Sequence, residues 1–308
     1  MAHKVYDNYY LSNEVEDQYN SHIDLQQFCT ADNSLVGTPG MKRRINVYSA
    51  TSGTEQLGMG EGNTKDIEVS YTDKEYEILM AQNRFKYFDE QEMADPMLVP
   101  VGTRHMGTDL FNYVNKSIYD EFKKAVLTVP TAKFDFAAFA DAVASLNIES
   151  TDNAAEDVTP RTFAFISPAD MAELRKALAD DLKYVEAFAR SGYIGTVAGV
   201  NLYTKKDADK GTLIVATREA VTIFNKKGVE IEVDRSPDTR ENMIWSRKYY
   251  LAALTDQTKA VKIVKGEAKA TTDTTVTEGK TYYAKTDTGY IVGKPNTNPE
   301  TEGFYEIA

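Results

Sequence analysis

The chain has 308 residues, 42% of them hydrophobic and 27% charged, which is typical of a folded protein of about two domains. A formal net charge of −12 argues against nucleic-acid binding through the overall field of the protein. The longest apolar run, Tyr249 to Leu254, is far shorter than the ~20 residues that span a bilayer, and we expect no secretory signal. The single cysteine, Cys29, excludes an internal disulfide framework and suits a reducing compartment.

The first part of the chain predicts elements that lack a core of their own. Residues 1–40 are rich in Tyr, Asn, Asp and Gln, which is typical of an extended arm. Alternation over residues 43–48, resuming at residue 67, predicts two strands of a long hairpin. The tip of this hairpin is rich in glycine, with Gly53, Gly58, Gly60 and Gly62. Alternation over residues 76–87 then predicts one long strand that returns to the body.

The middle third is predicted to be helical. Apolar spacing predicts a helix over about 107–127, with Asp109 at its start and two lysines near its end. A second helix, over residues 135–147, is predicted to bury five residues: Phe136, Phe139, Ala140, Val143 and Leu146. A surface loop is predicted over 149–160 and a strand over 162–166. A third helix follows, with Ser167 as N-cap, Pro168 at its first position and Asp170 closing a capping box.

The last third is predicted to be mostly β. Strands are predicted over 211–216, 221–224, 228–235, 243–254 and 259–264, and they favour an antiparallel sheet. In the third of these, Val229, Ile231 and Val233 are predicted to point inward and the acidic residues between them outward. Residues 266–308 contain three short aromatic strands and are too few to fold alone, so we expect them to dock on the body or on a neighbouring subunit.

A glycine-rich stretch, SGYIGTVAGVNLYT over residues 191–204, raises the question of a phosphate-binding loop. Its glycines are Gly192, Gly195 and Gly199. The dinucleotide fingerprint requires glycine where Ile194 stands, and the P-loop requires lysine where Thr196 stands. The spacing therefore predicts a backbone bend.

The residue types that usually carry chemistry show no informative pattern. His3, His22 and His105 lack metal-ligand spacing, and Cys29 is predicted to be a small, partly buried residue rather than a nucleophile. We therefore expect no enzyme activity, no cofactor and no metal. One basic cluster, Met41–Arg44, lies at the root of the hairpin. It is interpreted either as a charge-pairing site for an acidic neighbour or, less favoured, as a nucleic-acid contact.

The order of these elements resembles the major capsid protein of tailed double-stranded DNA bacteriophages, which has the Hong Kong ninety-seven-type capsid fold. The resemblance covers about residues 1–265. It rests on the arm, the hairpin and the long helix, and then on the segments SPADMAELRKAL, SGYIGTVAGVNLYT, GTLIVATREAVTIF and GVEIEVDRSPDTRENMIWSRKYYLAALTDQTKAVKIV. The tail, from TTVTEGKTYY to GFYEI, looks like a short module appended to structural proteins of phages.

The resemblance implies an α+β capsid fold with a small C-terminal β module. Its parts would be an N-terminal arm (1–42), an E-loop hairpin (43–72), a peripheral domain with the spine helix (73–160), an axial domain with the closing strands (161–265) and the module (266–308). It places the glycine-rich bend in the axial domain, near the axis of a capsomer.

The resemblance also implies a function. The chain would self-assemble into hexamers and pentamers of an icosahedral virion shell around double-stranded DNA, which it would bind without sequence specificity. It would be made in the bacterial host cytoplasm, with scaffolding and portal proteins as partners and no membrane association. Intersubunit contacts are expected at Arg43, Arg44, Gly58, Gly60, Glu61 and Gly62. The alternatives are an encapsulin-like nanocompartment shell and a phage tail or surface binding protein.

Overall fold

A computed structural model describes residues 24–50, 54–59, 62, 64–146, 162–178, 195–270, 281–286, 289–292 and 304–307. The helices in these ranges are α1 (Asp89–Ala94), α2 (Leu98–Phe122), α3 (Phe136–Ser145) and α4 (Pro168–Ala177). The strands are β1 (Thr30–Asp32), β2 (Lys42–Ala50), β3 (Val69–Glu77), β4 (Leu79–Phe88), β5 (Leu127–Thr131), β6 (Thr162–Ile166), β7 (Thr196–Val197), β8 (Val200–Thr204), β9 (Thr212–Thr217), β10 (Val221–Ser236), β11 (Glu241–Leu254), β12 (Ala260–Lys265), β13 (Ala268–Ala270), β14 (Tyr283–Thr286), β15 (Gly289–Val292) and β16 (Phe304–Ile307).

A ten-stranded sheet forms the centre of the body, in the order β13-β16-β14-β15-β5-β12-β9-β6-β8-β7. Its middle strands are buried on both faces, which is why their sequences are nearly continuous apolar runs. Ala164, Val215 and Val261 face α3 and α4, while Phe163 and Ile214 face α2 and the segment before β1. The sheet is mixed rather than antiparallel as predicted, because β12 runs parallel to β5 and β6 runs parallel to β8.

A four-stranded sheet, β1-β10-β11-β4, extends beside the long helix α2. Alternate residues of β11 are buried, including Ile244 and Tyr250. The Asn83 side chain of β4 donates a hydrogen bond to the Met106 carbonyl of α2, at 2.9 Å. Gly102 of α2 lies so close to Phe85 that a Cβ atom there would be only 2.5 Å from the ring. The absence of a side chain at this position therefore lets the helix approach the sheet closely.

The long helix α2 begins earlier than predicted, at Leu98 rather than about residue 107, and ends at Phe122. The apolar spacing does not indicate this start because Pro100 and Gly102 interrupt it. Proline is tolerated in a first turn, where its missing N–H would have no helical partner. Asp109 consequently lies within the helix, not at its start, while Lys123 is the C-cap residue.

The helix α3 buries only part of the predicted face, including Leu146 at its C-cap, which is buried as predicted. Phe139 is fully buried, but Phe136 is 57% exposed, and Ala138 and Ala142 complete the buried face. Phe134, just before the helix, is buried and takes the core position that the prediction gave to Phe136.

The start of α4 follows the prediction in part. Ser167 is the N-cap and Pro168 is in the first turn. The Ser167 hydroxyl accepts a hydrogen bond from the Asp170 amide at 3.1 Å. The Asp170 carboxylate does not accept a hydrogen bond from the N-cap amide. It accepts one from the Gly211 amide at 2.9 Å, and this bond connects the helix to the chain before β9.

The predicted arm is in part a component of the core. Leu25, Phe28 and Cys29 are buried, and the Leu25 amide donates to the Asn115 side chain of α2 at 3.0 Å. The strand β1 then pairs in parallel with the start of β10. Residues 1–23, which carry the rest of the predicted arm, lie outside the described residues, as does the predicted loop over 149–160.

The glycine-rich stretch contains a tight hairpin between β7 and β8. Its two turn residues, Ala198 and Gly199, have φ values of 50° and 78°, and Gly195 has a φ of 68°. Two consecutive residues with positive φ are typical of a type I′ turn, which favours glycine. The interpretation as a backbone bend is confirmed for Gly195 and Gly199, while Gly192 lies outside the described residues.

Two strand predictions change in the structure, and the predicted docking of the C-terminal strands is confirmed. The segments 221–224 and 228–235 belong to one strand, β10. This strand is continuous, but its pairing with β11 is irregular between Asn225 and Glu230. The returning strand is instead two strands, β3 and β4, separated at Ile78. The C-terminal strands dock on the body, since β15 pairs with β5 and so extends the ten-stranded sheet.

We predict that Phe139→Ala lowers the free energy of unfolding of the unassembled subunit by about 3–5 kcal/mol, because it empties a fully buried site. The matched control is Phe136→Ala on the same helix, with an expected change within about 0.5 kcal/mol because that ring is exposed. Chemical denaturation measures both values. Equal costs for the two variants would contradict the assignment of the buried face.

Candidate functional site: the exposed hairpin and the uncovered sheet face

The strands β2 and β3, with the residues between them, form a hairpin that is a separate two-stranded sheet within the described chain. Their register runs from Lys42 opposite Glu77 to Ala50 opposite Val69. The Ile78 amide donates to the Met41 carbonyl at 2.8 Å and closes the root of the hairpin, where Tyr76 of β3 stacks on Phe224 of β10 with ring centroids 5.7 Å apart. Such a two-stranded unit has little stability by itself, so a surface outside the hairpin is needed to support it.

Oppositely charged side chains face each other across the root of the hairpin. Lys42 Nζ lies 2.9 Å from Glu75 Oε1, and Arg44 pairs with Asp73. The hydrogen bond and the opposite charges raise the pKa of Lys42 and lower the pKa of Glu75. Arg44 therefore has an acidic partner within its own chain.

The tip of the hairpin exposes apolar side chains. The exposed fractions are 44% for Leu57, 107% for Met59, 60% for Ile67 and 63% for Val69. Glu55 organises this end of the hairpin by accepting hydrogen bonds from the Thr64 amide at 2.8 Å and the Thr64 hydroxyl at 2.7 Å, and these bonds lower the pKa of Glu55.

The predicted contact residues occupy both ends of the hairpin and do not form one cluster. Strands of nine residues separate the root from the tip, a length of ~30 Å. Gly58 and Gly62 are exposed at the tip, and a Cβ atom at Gly62 would meet nothing within 4 Å. Gly53, Gly60 and Glu61 lie outside the described residues, and so does the side chain of Arg43, whose backbone pairs with Tyr76. A role in intersubunit contact stays a prediction for all six residues.

A second exposed apolar surface lies on β10, where the sequence predicted core residues. Val229, Ile231 and Val233 are 58%, 64% and 66% exposed, so the prediction that they point into the core is wrong. Val233 is opposite Ile244 of β11, and Ile244 lines a groove with Leu110 and Val114 of α2, so both residues lie on the sheet face toward α2. The helix covers β11 and β4 but leaves this part of β10 open. Alternation shows which residues share a face and not whether that face is covered.

The structure does not place Cys29 as a reactive nucleophile. Cys29 is fully buried, and burial raises the pKa of its thiol to about 12. The described ranges contain no group of three or more His, Cys, Asp or Glu side chains placed to hold a metal ion. In those same ranges, none of the helices combines the length and the apolar character needed to cross a membrane.

Comparison with known proteins identifies the fold. No protein-family model matches the chain. The chain is 26% identical over 265 residues to the major capsid protein of Staphylococcus phage phiMR11, and the match covers 82% of this chain and 90% of that protein. A solved structure from Mycobacterium phage Che8 superimposes with a TM-score of 0.65 at 15% identity, covering 86% of this chain and 99% of that one. The head structure of Helicobacter pylori bacteriophage KHP40 gives 0.66 at 9% identity, covering 83% and 95%.

The chain has the Hong Kong ninety-seven-type capsid fold. The predicted α+β capsid architecture and the resemblance to phage major capsid proteins are thereby confirmed. The assignment of the hairpin as the E-loop and of α2 as the spine helix stays a prediction. The hairpin and the open part of β10 are thus surfaces that the described residues of this capsid-fold subunit leave uncovered.

We predict that the Cys29 thiol of the folded chain reacts very slowly with a disulfide reagent at pH 8. With a pKa of about 12, only about one thiol in ten thousand is ionised at that pH, and the side chain is buried. Denaturant should release one rapidly reacting thiol per chain. Rapid stoichiometric reaction in the native state would contradict the burial of Cys29.

Proposed function

We propose that the chain is a major capsid protein whose copies assemble into the hexamers and pentamers of a closed icosahedral shell. The observation that carries the proposal is the hairpin, which exposes large apolar side chains at its tip in a chain with the capsid fold. Apolar surface of this kind is stabilised by about 25 cal/mol for each Å² that a neighbour removes from water.

The geometry of the hairpin favours head-to-tail contacts between copies. A projection that binds a different surface of the next copy makes a heterologous contact, and such contacts close into rings when the rotation between copies is suitable. Each contact contributes little, but it is repeated in every subunit of the shell. Closure by symmetry thus converts a modest interaction into a stable particle.

The predicted contact residues would act at the two ends of this projection. Gly58, Gly60, Glu61 and Gly62 would lie on the neighbour at the tip, and Arg43 and Arg44 would meet acidic groups near the root. For Arg44 this requires sharing the guanidinium with Asp73, its partner within the hairpin. Because Arg44 is 69% exposed, a further ion pair there is worth only about 0–1 kcal/mol.

Other partners follow from the proposed role. The shell would enclose double-stranded DNA without sequence specificity, and scaffolding and portal proteins would take part in its assembly. The net charge of −12 would repel the DNA phosphates, so the packaged DNA would adhere only weakly to the shell wall. The chain would be made in the bacterial host cytoplasm, would reside in the virion and would act as a structural protein without enzyme activity.

We predict that Met59→Asp impairs shell formation without unfolding the subunit. Met59 is the most exposed large apolar side chain described at the tip, and a carboxylate in its place would be costly to bury against a neighbour. The control is Gln56→Asp, which adds the same charge at an exposed polar position of the same tip. Electron microscopy and sedimentation should show normal shells for the control and mainly capsomers or subunits for Met59→Asp.

Deletion of residues 52–63 gives a stronger form of the same test. The body should keep its circular dichroism spectrum and its unfolding transition, because the hairpin joins the body only at its root, while stable shells should be lost. Shells of normal stability from both the deletion variant and Met59→Asp would show that the hairpin is not an intersubunit clamp. A wild-type chain that stays a compact monomer with and without scaffold would refute the capsid function itself.

A further inference from the structure

The outer part of β10, residues 229–235, forms an open edge of the four-stranded sheet. The strand β1 pairs only with residues 222–224 of β10, and no other described strand continues beside the outer part. The apolar side chains of this part, on the face toward α2, are more than half exposed: Val229, Ile231 and Val233. An exposed strand edge that carries apolar side chains is a template for pairing with another chain.

The charges of this edge disfavour its pairing with the same edge of a second copy. Glu230, Glu232 and Asp234 alternate with the apolar residues and therefore lie on the face away from α2. Two such edges paired with each other would bring rows of carboxylates together, and like charges on neighbouring strands are destabilising. A suitable strand should instead carry basic side chains on the face away from α2.

The strand β4, at the opposite edge of the same sheet, has this pattern. Arg84 is exposed and lies in the same row of the sheet as Glu232, on the face away from α2. Lys86, two residues further, lies on the same face. Between them, Phe85 is on the face toward α2, where its ring packs against Gly102 of the helix. The two edges of one sheet are thus complementary in charge.

We propose that the outer part of β10 pairs with β4 of a neighbouring copy, so that the four-stranded sheets continue from one subunit to the next. Both strands run antiparallel to β11, so a head-to-tail repeat pairs them in parallel. Main-chain hydrogen bonds would provide affinity, and the side chains would set the register.

The register follows from the rows within one sheet. Asp234 and Lys86 are both opposite Met243 of β11, and Glu230 and Gln82 are both opposite Arg247. When these rows continue across the contact, Asp234 lies next to Lys86 of the neighbouring copy, and Glu230 lies next to its Gln82. This inference rests on the proposed self-assembly, because it names one of the contacts between copies.

The same pairing would close the apolar groove beside α2. The strands β10, β11 and β4 together are about 14 Å wide, whereas a helix with its side chains is about 10–12 Å wide. One helix therefore leaves part of the sheet open, as a groove of about 190 Å³ lined by Leu110, Val229 and Ile231 among others. Pairing places the α2 helix of the neighbouring copy on the other side of this groove and removes its apolar walls from water.

Disulfide crosslinking tests the contact and its register. In the double variant Asp234→Cys, Lys86→Cys, the two positions of one chain are two strands apart, about 9–10 Å, which is too far for a disulfide. Across the contact they are on adjacent strands, about 5 Å apart. Oxidised shells should therefore give a ladder of covalent multimers in non-reducing gel electrophoresis.

The matched control is Asp234→Cys, Gln82→Cys, which moves the second thiol four residues along the same face of β4, about 13 Å away. Its ladder should be roughly tenfold weaker. Shells without a ladder stronger than the control would overturn the inference and leave the proposed function intact. Failure of the wild-type chain to form shells would refute the proposed function, and this contact with it.

A pair of substitutions at Gln82 gives a second readout that does not use crosslinks. Gln82 is exposed and opposite Arg247 of its own chain, so Gln82→Glu should stabilise the unassembled subunit relative to Gln82→Lys. In the shell the order should reverse, because position 82 lies next to Glu230 of the neighbouring copy. At the denaturant concentration that dissociates half of the wild-type shells, about twofold more shells should remain for Gln82→Lys than for Gln82→Glu. The same order in subunits and shells would contradict the contact.

Discussion

A cluster of aromatic rings joins the ten-stranded sheet to the long helix α2 and to the segment before β1. The rings of Phe163 and Phe165 on β6 are 5.2 Å apart, and Phe122 at the end of α2 packs on both, at 5.8 and 5.6 Å. Phe28, from the segment before β1, lies 4.8 Å from Phe163. One end of the long helix and the first described segment are thereby fixed against the ten-stranded sheet.

This junction explains the elongated part of the subunit. The helix α2 is anchored by Phe122 at its C-terminal end, and its remaining turns extend beside the four-stranded sheet. That sheet packs on the helix through β11 and β4, so the outer strand β10 remains partly open. The hairpin leaves the same region at Ile78, next to the contact between the Tyr76 and Phe224 rings. The subunit is thus a firmly packed body with two extensions that the described residues cover incompletely.

The charge distribution agrees with this division. The ion pairs of the hairpin and of the open strand are on the surface, as with Lys42 and Glu75 or Arg247 and Glu232. Such exposed pairs add little stability, although opposite charges on neighbouring strands favour one register of the pairing. The interior of the ten-stranded sheet, in contrast, is held by apolar packing on both faces. Most of the stability therefore resides in the body.

Local sequence patterns predicted an element correctly where a single local preference of the residues determines its structure. The strand over 162–166, the N-cap at Ser167 and the bend at Gly199 were predicted from apolar runs, capping preferences and glycine content, and the structure confirms them. The start of α2 was wrong because Pro100 and Gly102 obscure the helical spacing, although both are accommodated within the helix.

The errors about burial have a different cause. Phe136 and Ile231 lie in regular apolar patterns, yet both are exposed, because burial depends on which other element covers the face. The same limit applies to the candidate site. The sequence located the hairpin but could not locate the groove beside α2, which is built from residues more than a hundred positions apart.

Hydrogen exchange, compared between unassembled subunits and complete shells, tests most directly whether the hairpin is completed by a neighbour. We predict that the amides of β9 and β12 are protected in both states, because these strands are buried in the body. The amides of β2 and β3 should exchange rapidly in the subunit and become strongly protected only in the shell. Equal protection of the hairpin in both states would contradict the central claim that assembly supplies its missing support.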